Sequence, residues 1–160
     1  MFTGRQIVST LEQLRVSHVI WVPDSTFGTW EADLESSDQL ELIRVCREGE
    51  AWPLAAGLQV GGKSPVIMMQ TTGMFESGDA MRNVLFDLQV PLFAIIGVRN
   101  WLIAESPDSA RRFAEPVIDA WSLNHVWIAK ESDKPKLSEH FTACQQAKQA
   151  GVVLMAEGKG

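Results

Sequence analysis

No apolar run in the sequence approaches the roughly 20 residues of a membrane-spanning helix, which argues against a transmembrane segment. Basic residues are outnumbered: 14 Lys and Arg against 20 Asp and Glu give a net charge of −6, whereas a nucleic-acid binder needs a basic stripe to displace counterions. Neither nucleic acid nor a membrane is an expected partner. Cysteine is scarce. Cys46 and Cys144 stand far apart, form no C-x-x-C pair and have no histidine at ligand spacing, which argues against a disulfide framework and against zinc. No metal site is expected on this chain, and both thiols are expected to be buried. The opening MFTGRQIVSTLEQL runs into an amphipathic pattern without the basic and apolar regions of a secretory leader, so a cytoplasmic location is expected. With 160 residues, 46% hydrophobic and 21% charged, the chain suits one domain over residues 1–160 around one sizeable core.

What is present is an alternation of two periods. Ile7, Leu11 and Leu14 fall at helical spacing, and HVIWV (18–22) follows as a buried strand. The runs LIRVC (42–46), PVIMMQ (65–70), PLFAIIG (91–97), HVWIA (125–129) and VVLMA (152–156) repeat the pattern, each separated by enough chain for a helix. Continuous apolar runs mark strands buried on both faces, and intervening helices mark parallel connections. The expected fold is α/β: a three-layer sandwich with a six-stranded, mainly parallel sheet and helices on both faces. In such sheets ligands collect beyond the carboxyl ends of the strands. Those ends carry VPDST (22–26), CREGE (46–50), QTTGM (70–74) and GVRNW (97–101). The polar segment AESPDSARR (104–112) is expected to be an exposed loop leading into a helix.

One motif points elsewhere. GLQVGGKS (57–64) fits the phosphate-binding pattern G-x-x-x-x-G-K-[ST] at every fixed position. A working phosphate loop lies between a strand and the helix whose N-terminus receives the phosphates. Here the order is reversed: AWPLAAGLQV before the glycines has the character of a helix, and VIMMQ after them that of a strand. Gly61 and Gly62 are then a helix stop, with Lys63 near the negative end of the dipole.

The residues upstream, CREGEAWPLAAG, are more informative. A proline is tolerated in the first turn of a helix, so Pro53 places the helix start near residues 49–51 and Glu48 at the junction of strand and helix. Taken alone, Glu48 is an acid favoured by the dipole of a helix N-terminus. Ala55, Ala56 and Gly57 are expected to form a small-residue face.

Glu48-x-x-Ala51 followed by Ala55-Ala56-Gly57 resembles the E-x-x-A-x-x-x-A-x-G segment in the pyrimidine-binding domain of thiamine-diphosphate enzymes. VPDS (22–25), REGEA (47–51), QTTG (70–73), VPLFAIIGVR (90–99) and VVLMAEG (152–158) extend the resemblance toward the sulfopyruvate and phosphonopyruvate decarboxylases. The resemblance implies the thiamine-diphosphate-binding fold. It also implies that Glu48 is the catalytic glutamate that hydrogen-bonds N1′ of the aminopyrimidine and so assists proton removal from the thiazolium. Glu50 is the competitor, but the family's spacing back from Gly57 selects Glu48. Thr72 and Gly73 are implied as cofactor-binding residues. Asp24, Ser25, Gln70, Thr71 and Arg99 are implied at the substrate or at an interface, although Asp24 and Ser25 also suit a helix cap near Phe27 and Arg99 also suits a surface position.

Within the family's Q-N-S-G-L-G-N-S-x-N segment, Gln70, Gly73 and Ser77 match, whereas Phe75, Glu76 and Asp79 depart. Acids at the last two positions would repel an anionic sulfonate or phosphonate if they faced it. Gly78-Asp79-Ala80 lacks the second glycine of the G-D-G that helps hold the diphosphate and Mg²⁺ in these enzymes. The resemblance therefore implies a split enzyme: an alpha/beta hetero-oligomer whose beta-type subunit carries the diphosphate-binding domain and Mg²⁺, with thiamine diphosphate at the interface. Trp52, Trp101 and Trp121 are candidates for that interface. The implied activity is decarboxylation of an acidic 2-keto acid. Two alternatives stand beside it: a carboligase subunit of the same superfamily, and a non-catalytic interaction module of the same fold.

Overall fold

The computed structural model describes residues 2–158. Its six strands are β1 (His18–Trp21), β2 (Glu41–Arg44), β3 (Pro65–Gln70), β4 (Phe93–Val98), β5 (His125–Ile128) and β6 (Gly151–Ala156). They form one sheet in the order β2-β1-β3-β4-β6-β5, and every pairing is parallel. The helices are α1 (Gly4–Gln13), α2 (Glu31–Glu35), α3 (Glu48–Val60), α4 (Thr71–Glu76), α5 (Gly78–Arg82), α6 (Ser109–Ala120) and α7 (Pro135–Ala147).

The pleat sends alternate residues to opposite faces. Val19, Trp21, Val66, Met68, Phe93, Ile95, Val153 and Met155 join one core with Ile7 and Leu11 of α1, Leu34 of α2, and Leu137 and Phe141 of α7. Ile20, Ile67, Met69, Ala94, Ile96, Val152 and Leu154 join the other with Trp52 and Ala55 of α3, Met74, Met81 and Ile118. The result is a three-layer α/β sandwich with a core on each side of the sheet. Right-handed crossovers explain which helix lies where. The connections β1 to β2 and β5 to β6 run one way along the sheet and carry α2 and α7 on one face. The connections β2 to β3, β3 to β4 and β4 to β5 run the other way and carry α3 to α6 on the opposite face. The strand order reverses between β1 and β3, which opens a crevice beyond their carboxyl ends.

The motif resembling a phosphate loop is a helix stop. Gly62 has φ +81°, its N–H donates to Gln59 O at 3.0 Å, and the Lys63 N–H donates to Leu58 O at 2.9 Å. That pair of bonds is the Schellman arrangement. β3 follows at Pro65, so no helix N-terminus faces these glycines.

Three expectations are corrected. α3 begins at Glu48, which places Pro53 in its second turn and not its first, where the ring removes the N–H that would reach back to the Gly49 carbonyl. Ala55 and Ala56 are buried while Gly57 is exposed, because successive helical residues are turned by about 100° and three in a row cannot share a face. Cys46 is exposed, since it lies beyond the last paired residue of the edge strand β2.

Candidate functional site at the start of α3

Glu48 is the first residue of α3 and lies half-buried at the carboxyl edge of the sheet. Its side chain rests on Gly73 of α4. A Cβ built on Gly73 would lie 2.5 Å from Glu48 Cγ, 2.6 Å from Oε1 and 2.8 Å from Cδ. Only glycine leaves room for the carboxylate there, and Gly73 itself is buried.

α3 has no side-chain cap of its own, because its N-cap is Arg47. The missing acceptor comes from α4. Glu76 Oε2 accepts from the Gly49 N–H at 2.9 Å, and Oε1 accepts from Arg47 Nε at 3.0 Å and from Arg47 Nη2. The Arg47 guanidinium, and after it the Gly49 amide, hold the Glu76 carboxyl below the usual carboxylate range. A third link lies deeper: the Trp52 indole N–H donates to Ser77 Oγ at 2.9 Å, and Ser77 Oγ donates to Met74 O at 3.3 Å. Trp52 and Ser77 are both fully enclosed, so Trp52 belongs to the core and is not available to an interface. The Glu48 carboxylate takes part in none of these links.

Gln70, at the end of β3, has a buried Oε1 without a hydrogen-bond partner. A buried, unpaired acceptor is costly and marks a place where a donor from outside the chain can be satisfied. Thr71 is fully buried, its hydroxyl 3.5 Å from Gly97 O. Thr72 is exposed in the first turn of α4.

The loop after β1 forms a second cluster. Asp24 accepts the Thr26 and Phe27 N–H groups on Oδ1, each at 2.8 Å, and the Trp21 indole N–H on Oδ2 at 3.1 Å. Its carboxylate is thus committed to its own loop, while Ser25 is exposed. Thr26 donates to Glu157 Oε2 at 2.7 Å and packs on Gly97, where a Cβ would lie 2.3 Å from Thr26 Cγ2. Arg99 pairs with Asp108 at 3.3 Å. Burial pushes the Asp108 carboxyl up, but the Ala110 amide, the Asn100 amide and Arg99 together hold it below its ordinary value. Asp108 also caps α6 through the Ala110 N–H at 2.9 Å.

The acidic departures from the family pattern are both paired. Glu76 faces Arg47, and Asp79 lies 2.9 Å from Arg82, which also reaches Asp87 at 2.6 Å. Glu76 and Arg47 escape a motif reading because the pairing joins two elements; the available signal is that Gly73, Glu76 and Ser77 fall at i, i+3 and i+4, on one side of α4.

A histidine does lie beside Cys144. His140 Nε2 is 3.7 Å from its Sγ across one turn of α7. Burial pushes the Cys144 thiol up and the His140 ring down, and both shifts disfavour the charged thiolate and imidazolium of an activated nucleophile. Among the described residues, no three His, Cys, Asp or Glu side chains gather as a metal site, and no helix is long and apolar enough to cross a membrane.

No family model matches the chain. It is 25% identical over 119 residues to the sulfopyruvate decarboxylase subunit alpha of Methanocaldococcus jannaschii, an alignment covering 73% of this chain and 70% of that one. Its fold is that of an X-ray structure from Mycobacterium smegmatis, described as a candidate thiamin diphosphate-dependent enzyme, with a TM-score of 0.74. That superposition covers 98% of this chain at 15% identity and spans 31% of the larger chain. The sequence relative agrees with the resemblance to the decarboxylases, and the solved structure agrees with the expected fold.

Proposed function

We propose that this chain is the pyrimidine-binding subunit of a two-component thiamine-diphosphate-dependent decarboxylase acting on an acidic 2-keto acid. The observation that carries the reading is the Glu48 carboxylate, seated on Gly73 where any side chain would displace it and left out of the bonds that tie α3 to α4. The residues fit the cofactor's pyrimidine. Glu48 supplies a carboxylate for the ring nitrogen N1′, and the unpaired Gln70 Oε1 supplies an acceptor for a donor on the bound ligand.

When bound, thiamine diphosphate supplies the electron sink for the bond broken at the keto acid's carboxylate. Glu48 holds the proton shared with N1′, with Gly73 under it and the exposed Thr72 assigned to the cofactor from the same helix. The dipole of α3 favours the carboxylate's charge, and Gly73 keeps the α4 backbone close. Asp24 and Arg99, already engaged by their own loops, stand at the rim with the exposed Ser25, and the fully buried Thr71 lies beneath it. The pairing of Glu76 with Arg47 and of Asp79 with Arg82 lessens the repulsion that bare acids would exert on an anionic substrate. Decarboxylation is preferred to carboligation because the sequence relative is a decarboxylase subunit.

That relative is a subunit alpha, and the proposal gives this chain a beta-type partner bearing the diphosphate-binding domain and Mg²⁺. The test is affinity purification of the full chain from its native cells in buffer containing thiamine diphosphate and Mg²⁺. The expected product is a stoichiometric complex with a chain carrying a Gly-Asp-Gly motif and with cofactor bound. Recovery of the chain alone and without cofactor would overturn the proposal in favour of a non-catalytic interaction module.

A further inference from the structure

The arrangement around α4 assigns a task to a residue outside the family's pattern. Resting on the thiamine-diphosphate reading above, we propose that Glu76 is the positioning residue for Glu48, gripping the residues on either side of it so that the carboxylate is presented in one place.

The geometry is specific. Glu48 has Arg47 before it and Gly49 after it. Glu76 Oε1 engages the Arg47 guanidinium, and Glu76 Oε2 takes the Gly49 N–H. The two oxygens therefore fix a side chain and a backbone amide that flank Glu48, without touching its carboxylate. A Cβ at Gly49 would stand 3.5 Å from Glu76 Oε2, an ordinary contact, so the grip does not depend on this residue being glycine. Gly73, three residues earlier on α4, forms the floor under the Glu48 side chain. Ser77, one residue later, anchors α3 from below through Trp52. One side of α4 and its C-cap Ser77 thus support, clamp and anchor the first turn of α3. A first turn is where a helix frays most readily, and Arg47 offers it no cap. Without Glu76, the turn that carries Glu48 keeps its floor and its deep anchor but loses the bonds that set its angle.

The side chains involved are surface-accessible, 73% exposed for Arg47 and 31% for Glu76, so substitution does not threaten the core. The first test is amide hydrogen exchange, followed by NMR, on the 160-residue chain with Glu76→Ala and Glu76→Gln. Glu76→Ala is expected to speed exchange at Gly49 about tenfold, as local opening of the first turn, while the core strands keep their protection. Glu76→Gln retains an oxygen for the Gly49 N–H and is expected to restore most of that protection. Unchanged exchange at Gly49, or faster exchange throughout the chain with a lower Tm, would overturn the assignment.

The second test uses the assembled complex and equilibrium dialysis of thiamine diphosphate. Glu76→Ala is expected to weaken binding about five- to tenfold, and to add nothing in a Glu48→Gln background, because its effect passes through Glu48. An undiminished loss in that background would overturn the proposal. If Glu48→Gln itself leaves affinity unchanged, the thiamine-diphosphate reading falls, and the role of Glu76 toward the cofactor falls with it. If Glu48→Gln weakens binding and Glu76→Ala does not, the reading stands and this inference alone fails.

Discussion

The two ends of α3 are built from the same materials, glycine and a few charges, and serve opposite purposes. At the C-terminal end, Gly61, Gly62 and Lys63 complete a match to a well-known phosphate motif, yet they close the helix on its own carbonyls. At the N-terminal end no motif is conspicuous, and there Glu48 rests on a glycine from another helix while Glu76 holds its neighbours. The difference lies in what each glycine makes room for. Gly62 accommodates a backbone angle, φ +81°, which is a matter of stability. Gly73 accommodates another residue's carboxylate, which in the proposed reading is a matter of function.

That contrast can be broken by adding one methyl group at each end. Gly73→Ala places a Cβ within 2.8 Å of three atoms of Glu48. The obstructing atoms belong to the far part of a flexible side chain, which can swing away, and alanine gains about 1 kcal/mol of helix propensity over glycine. The Tm of Gly73→Ala is therefore expected to stay close to that of the parent. Thiamine diphosphate affinity of the assembled complex is expected to fall by about tenfold or more, equivalent to roughly 1.4 kcal/mol. A loss of Tm with intact affinity would erase the distinction.

Gly62→Ala should do the reverse. A Cβ there meets nothing within 4 Å, but the backbone angle is strained for any L-residue. A cost of about 1 kcal/mol corresponds to a Tm lower by roughly 2–4 °C in a chain of this size, with cofactor affinity unchanged. Calorimetry and dialysis on the same two variants sharpen the comparison further: the smaller thermal effect should accompany the larger functional one.

Much of the fold was legible because burial writes itself into composition. Strands enclosed on both faces, such as Val66–Met69 and Val152–Met155, are continuous apolar runs, and the Gly-Gly stop after Gln59-Val60 is a local signal confined to a few residues. The position of Glu48 between β2 and α3 was legible from the strand and helix patterns, whereas its selection over Glu50 rests on the family resemblance. The links from α4 were harder to see. Glu76 reaches across 29 residues to Arg47, and sequence alone gave it only the character of an unfavourable acid near an anionic substrate. Its meaning depends on which cation the fold brings to it. Cys46 and Gly57 were misplaced for a related reason, since exposure at a sheet edge and the angular position of a residue around a helix both depend on the neighbours present in three dimensions.

The most direct test of the central claim is the turnover of 2-keto acids such as sulfopyruvate by the assembled complex, comparing the parent chain with Glu48→Gln. The side chain changes by one atom type, so the seat on Gly73 is preserved while the carboxylate, the group proposed to exchange a proton, is lost. The account predicts a loss of at least about 10²-fold in kcat, the scale on which a positioned proton-transfer group acts. Turnover equal to that of the parent would contradict it, because catalysis would then not pass through Glu48.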